Sequence, residues 1–192
     1  MSKPKIVLVS TFESDLKHNV YEEFNSLDTK SKIVEFFNYD NGIVSNFIEE
    51  LTVNADKYPQ DSASLFQSGN YEEFFKRLIE SRTLIPVINE LFDSVYQEIF
   101  DGLSKVEFDE PALIDITHTS VKPDFCTHFV GWITPNDALA LEHLAEHENI
   151  GGEYAQDLIN LHNDWLRANK DKFDLFFDGS TKDEVLEELR KL

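Results

Sequence analysis

Residues 143 to 147 read His-Leu-Ala-Glu-His. Two imidazoles four residues apart lie one turn above another on a helix face, so both can point at one cation, and neutral imidazole is a common zinc ligand. Glu146 stands on the same turn, where its carboxylate can take or give a proton. Gly151-Gly152 follows. If the helices on either side of it fold back as a hairpin, His162 falls opposite Ala140, about one turn from His143. Three imidazoles, His143, His147 and His162, then converge on zinc or another divalent metal, with Glu146 or Asp157 behind them. No cofactor is certain from the sequence. Neither G-x-G-x-x-G nor a Walker A run occurs, so nucleotide binding has no motif behind it.

The pentapeptide resembles the inverted zinc-peptidase motif, H-x-x-E-H. That resemblance implies His143 and His147 as zinc ligands and Glu146 as the base of a metal-dependent hydrolase. It covers five residues of 192. The family takes a third, carboxylate ligand from far downstream, and no acidic residue after His147 is marked out for that role. The match is to a motif and not to a family.

A second constellation depends on where strands end. The apolar, β-branched or aromatic runs at 5–12 (KIVLVSTF), 32–39 (KIVEFFNY), 112–119 (ALIDITHT) and 125–133 (FCTHFVGWI) read as strands. Open parallel sheets bind ligands at the carboxyl ends of their strands. Those ends carry Ser10 and Thr11, then Asp40 and Asn41, then His118, Thr119 and Ser120, a set able to hold a polar ligand. Cys126 and His128 alternate on the last run; a Cys-His pair lacking an orienting third group is poor evidence of a nucleophile, and the reading here is a core cysteine.

Between the strands the period is helical. Leu16, Val20, Phe24 and Leu27 mark a helix over 14–27 capped by Ser14, which with the runs at 5–12 and 32–39 makes a strand-helix-strand crossover. Further helices follow at 45–55, from Asn70, and from Pro86 to Phe100, the last ended by Gly102. Thr134-Pro135 opens one to about Asn149, 153–170 is another, and Ser180 or Thr181 caps a last one. The helix at 181–192 has an apolar edge that docks on its own domain or on a partner chain. The expectation is an α/β or α+β chain, one domain over 1–192, with about four strands in a mixed sheet and six or seven helices.

Charge sets the remaining function class. The chain holds 37 Asp and Glu against 17 Lys and Arg, a formal net charge of -20. Bare nucleic acid is repelled by such a field, and a basic protein is attracted. Residues 81–160 carry 15 acids and three bases, Arg82, Lys105 and Lys122. Glu90, Asp93, Glu98 and Asp101 line one side of the helix at 86–100, and Glu107, Asp109 and Glu110 continue the stretch. Those four helix carboxylates span about 17 Å, over which duplex DNA offers about ten phosphates, so this helix is too sparse to mimic DNA. The reading favoured is a non-enzymatic acidic binding module, of the inhibitor or immunity type, docking a basic partner such as a nuclease or nucleic-acid-binding protein. With one cysteine and no long apolar run, the expected place is the cytoplasm, away from membranes. The sequence leaves the oligomeric state open.

Overall fold

The computed structural model describes residues 3–11, 15–37, 43–81, 92–93, 96–97, 99–119, 121–147 and 150–192. Strands form where the chain is apolar and β-branched on both faces. β1 spans Lys5–Ser10, β2 Ala112–Ile116, β3 His128–Ile133 and β4 Leu175–Asp178. The order is β2-β1-β3-β4, and every pairing is parallel, with Val7 between Ile114 and Phe129. Continuous apolar runs are what a parallel sheet buried on both faces requires.

The two faces have separate cores. Ile6, Leu8, Leu113, Val130 and Trp132 point to one side, and Val7, Val9, Ile114, Phe129 and Ile133 to the other. Helices α1 (Asp15–Phe24), α2 (Leu27–Phe36), α3 (Ile43–Val53), α4 (Ser62–Gln67) and α5 (Tyr71–Glu80) precede β2. After β3 come α6 (Ala138–His147), α7 (Gly152–Ala168) and α8 (Lys182–Leu189). Val20 of α1 and Val185, Leu186 and Leu189 of α8 cover the first face. The second receives Phe47, Phe74, Leu78, Leu144, Leu158 and Ile159. The last helix, whose docking the sequence left open, therefore packs on the sheet of its own chain, opened by a reciprocal Thr181–Glu184 capping box.

Several expectations are corrected. The sheet is parallel throughout, not mixed. The strand expected at 32–39 is not found over 32–37, and residues 38 and 39 lie outside the described residues: Lys32–Phe36 belongs to α2, started by Ser26, whose hydroxyl accepts from the Thr29 amide. The buried positions Thr29 and Ile33 are one turn apart, and that helical spacing outweighs the β-rich composition. The strand-helix-strand crossover over 5–39 falls with it, since β1 pairs with β2 and β3. The helix over 14–27 stops at Phe24 because Asn25 turns to the outer edge of β2. There its carboxamide accepts from the Leu113 amide (3.0 Å) and donates to the Leu113 carbonyl (2.9 Å), closing an exposed strand edge. The strands at 5–12, 112–119 and 125–133 are shorter than expected, and β4 takes the place of the missing one. Gly102 does not end its helix. Residues 99–104 are helical, and a Cβ at Gly102 would lie 2.6 Å from Phe36 Cε1, so glycine admits that ring.

Candidate functional site

In the order β2-β1-β3-β4 the chain leaves β1 for one neighbour and returns to the other, so the strand-order switch lies between β1 and β3. Doubly wound sheets bind ligands at such a point, outside the carboxyl ends. This edge is lined with buried polar residues. Ser10 and Thr11 end β1, Thr117, His118 and Thr119 follow β2, and Thr134 follows β3. Lys17 of α1 and His162 and Asn163 of α7 close over them, each no more than 6% exposed.

The cluster divides between the sheet's faces. On the α1 side, Lys17 Nζ donates to Thr117 Oγ1 at 2.5 Å and lies 3.6 Å from Asp115 Oδ1. Ser10 Oγ, fully buried, has no hydrogen-bond partner among the described residues. Burial raises the Tyr21 phenol to about 12, with Glu22 and Asp115 adding to the shift. On the other side, His162 Nε2 donates to the Ser10 carbonyl at 3.0 Å. Its ring meets His118 edge-on at 4.9 Å and stacks on Trp165 at 5.6 Å. Thr11 Oγ1 accepts from the Thr134 amide and donates to Asn163 Oδ1, both at 3.0 Å, tying β1, β3 and α7 together. Thr119 Oγ1 donates to Asp93 Oδ1 at 2.5 Å. Burial holds His118 well below the ordinary histidine range, with the nearby His162 and Lys17 pushing the same way. A neutral imidazole between Phe92 and His162 can donate from one nitrogen and accept on the other.

Of the strand-end set, Ser10, Thr11, His118 and Thr119 come together, while Asp40, Asn41 and Ser120 lie outside the described residues. Sequence reasoning missed Lys17, Thr117, Thr134 and Asn163. Their signal was polarity on a buried stripe: Lys17 precedes Val20 by three, and Asn163 sits between Ile159 and Leu166.

The other expected sites separate. His162 does not join His143 and His147. Asp15, at the first turn of α1, does: His143 Nδ1 is 2.9 Å from Asp15 Oδ1, and the His143 and His147 rings are 4.7 Å apart. One ligating atom from each of the three lies within 4.8 Å of the others. Glu146 is exposed on the same helix and is not part of that group. Cys126 and His128 do not share a strand face, because β3 begins at His128; burial raises the Cys126 thiol to about 11, and Lys122 opposes that only partly. In the acidic stretch, Asp93 turns inward to Thr119, while Asp101, Glu107, Asp109 and Glu110 are exposed. Glu90 and Glu98 lie outside the described residues. Among the described residues no helix is long and apolar enough to cross a membrane.

Comparison with known protein families, with curated proteins and with solved structures finds no significant match. The class these observations define is an open parallel α/β sheet with a buried polar cluster at its strand-order switch.

Proposed function

We propose that the protein binds a small polar molecule at the carboxyl edge of its sheet, with Lys17, His118, His162 and Ser10 as the groups that recognise it. The observation carrying this reading is the burial there of a lysine and two histidines at the same strand ends as a serine hydroxyl that has no hydrogen-bond partner among the described residues. Buried ion pairs contribute little to folding, and apolar residues of similar size serve it as well or better. Titratable groups held away from their ordinary range, at the position where such sheets take ligands, mark functional sites. Neutral His118 and the threonine hydroxyls suit a ligand that both donates and accepts hydrogen bonds.

The test is a thermal-shift panel of sugars, hydroxy acids, sugar phosphates and nucleosides on the wild type, His118→Gln and Lys17→Met. A compound class that raises Tm in the wild type and fails to do so in folded His118→Gln supports the reading. Equal shifts in both, or none across the panel, refute it.

A second reading rests on the -20 charge and on the exposed carboxylates of Asp101, Glu107, Asp109 and Glu110. In this reading a basic partner such as a nuclease docks on those carboxylates, with inhibition as the outcome. Retention of a basic nuclease at low salt, lost when these four are changed to Asn or Gln, supports it. Retention unaffected by those changes means only the net charge is felt.

A further inference from the structure

We propose that Asp15, His143 and His147 form a binding site for a zinc-class divalent cation, independent of the sheet-edge cluster. The two histidines come from successive turns of α6 and the carboxylate from the first residue of α1, so the site joins two helices distant in sequence. Their ligating atoms already lie within 4.8 Å of one another, and the closest pair, His143 Nδ1 and Asp15 Oδ1, is 2.9 Å apart. A tetrahedral zinc with bonds of about 2.0–2.1 Å needs ligand atoms roughly 3.3 Å apart. Side-chain rotation therefore closes the site: the contact between His143 Nδ1 and Asp15 Oδ1 opens to admit the cation, and the neutral ring binds it through one nitrogen while keeping its proton on the other.

The donor set narrows the choice of ion. Two imidazole nitrogens and one carboxylate oxygen suit zinc and its neighbours among the divalent transition metals, whereas calcium and magnesium prefer oxygen alone. Three protein ligands leave a fourth position. Asp15 and His147 are exposed, so that position faces solvent and is open to water or a small anion, as in zinc sites that are not purely structural. The strongly negative chain raises the local concentration of cations. The resemblance of residues 143–147 to H-x-x-E-H supplies the two histidines but not this third ligand, which comes from upstream instead of downstream.

The experiment is zinc titration of the untagged full chain by calorimetry after chelator treatment and dialysis, with elemental analysis of the product. The wild type is expected to take up one zinc per chain, and Asp15→Ala, His143→Ala and His147→Ala each to lose at least tenfold in affinity with unchanged circular dichroism. Cobalt(II) in place of zinc is expected to give the strong visible absorption of a four-coordinate site in the wild type alone. Less than a stoichiometric amount of zinc overturns the proposal. So does zinc bound equally by His147→Ala, which places the metal elsewhere, and so does zinc lost in both histidine variants but kept in Asp15→Ala, which removes the third ligand.

Discussion

The sheet-edge cluster and the Asp15–His143–His147 trio are built from the same kinds of group and differ in where the backbone puts them. Around His162 and His118 the rings are buried among Phe92, Trp165 and strand ends, so each polar atom must be matched inside the protein. Asp15 and His147 stand exposed and His143 half-buried, so solvent can reach the polar atoms there. Burial makes the first set costly to alter, and exposure leaves the second free to rearrange around a cation. The contrast teaches that a histidine pair has no fixed meaning until its surroundings are known.

The sharpest way to break this contrast is to remove one imidazole from each set. His162→Ala deletes a fully buried ring that fills space between His118 and Trp165 and donates to Ser10. It is expected to cost about 4 kcal/mol of unfolding free energy in urea, in line with large-to-small core changes. Lys17→Met comes next. It removes the cation 3.6 Å from the Asp115 carboxylate, 14% exposed, and an expected loss of about 3 kcal/mol follows from breaking a largely buried pair. A loss below about 1 kcal/mol in either variant would show that the edge is wetter than the structure has it.

Acid sharpens the same comparison. His118 in the folded protein sits well below its unfolded value, so the unfolded chain binds the proton first. Its contribution is fully present above about pH 6.5 and is lost as pH falls below it, by up to about 1.4 kcal/mol for each unit until the folded group titrates. Urea midpoints measured between pH 7 and 5 are expected to fall more steeply for the wild type than for His118→Gln. Parallel slopes would mean that His118 charges without penalty. The smallest effect belongs to the surface: metal-free His147→Ala is expected to lie within about 0.5 kcal/mol of the wild type, since it removes no buried contact.

The legibility of the fold followed the same division. β1, β2 and β3 stood out as apolar runs, and α6, α7 and the capped α8 as periodic ones, because burial on both faces or on one stripe writes itself into composition. Residues 32–39 misled because Ile33, Val34, Phe36 and Phe37 are good strand formers, while the decisive facts were the Ser26 cap and the docking of Asn25 on β2. Such tertiary contacts leave no local trace. β4, LFFD, is too short to carry a period. Ser10, Thr11 and His118 were legible as a site because strand ends are; Lys17 and Asn163 became so only once their helices were seen to bury those stripes. The pairing of His143 with Asp15, instead of with His162, depended on how α1 lies against α6.

The place of β1 in the sheet has a consequence for the newborn chain. It is an inner strand that precedes both of its partners in the chain, yet Lys5 pairs with Ala112 and Ile6 with His128. Until those partners are made, Ile6 to Val9 have no strand on either side to pair with. Non-local parallel pairing of this kind folds slowly and exposes sticky intermediates. Translation of the residues between β1 and β2 is thus a waiting period, in which the fate of the chain depends on what shields Ile6 to Val9.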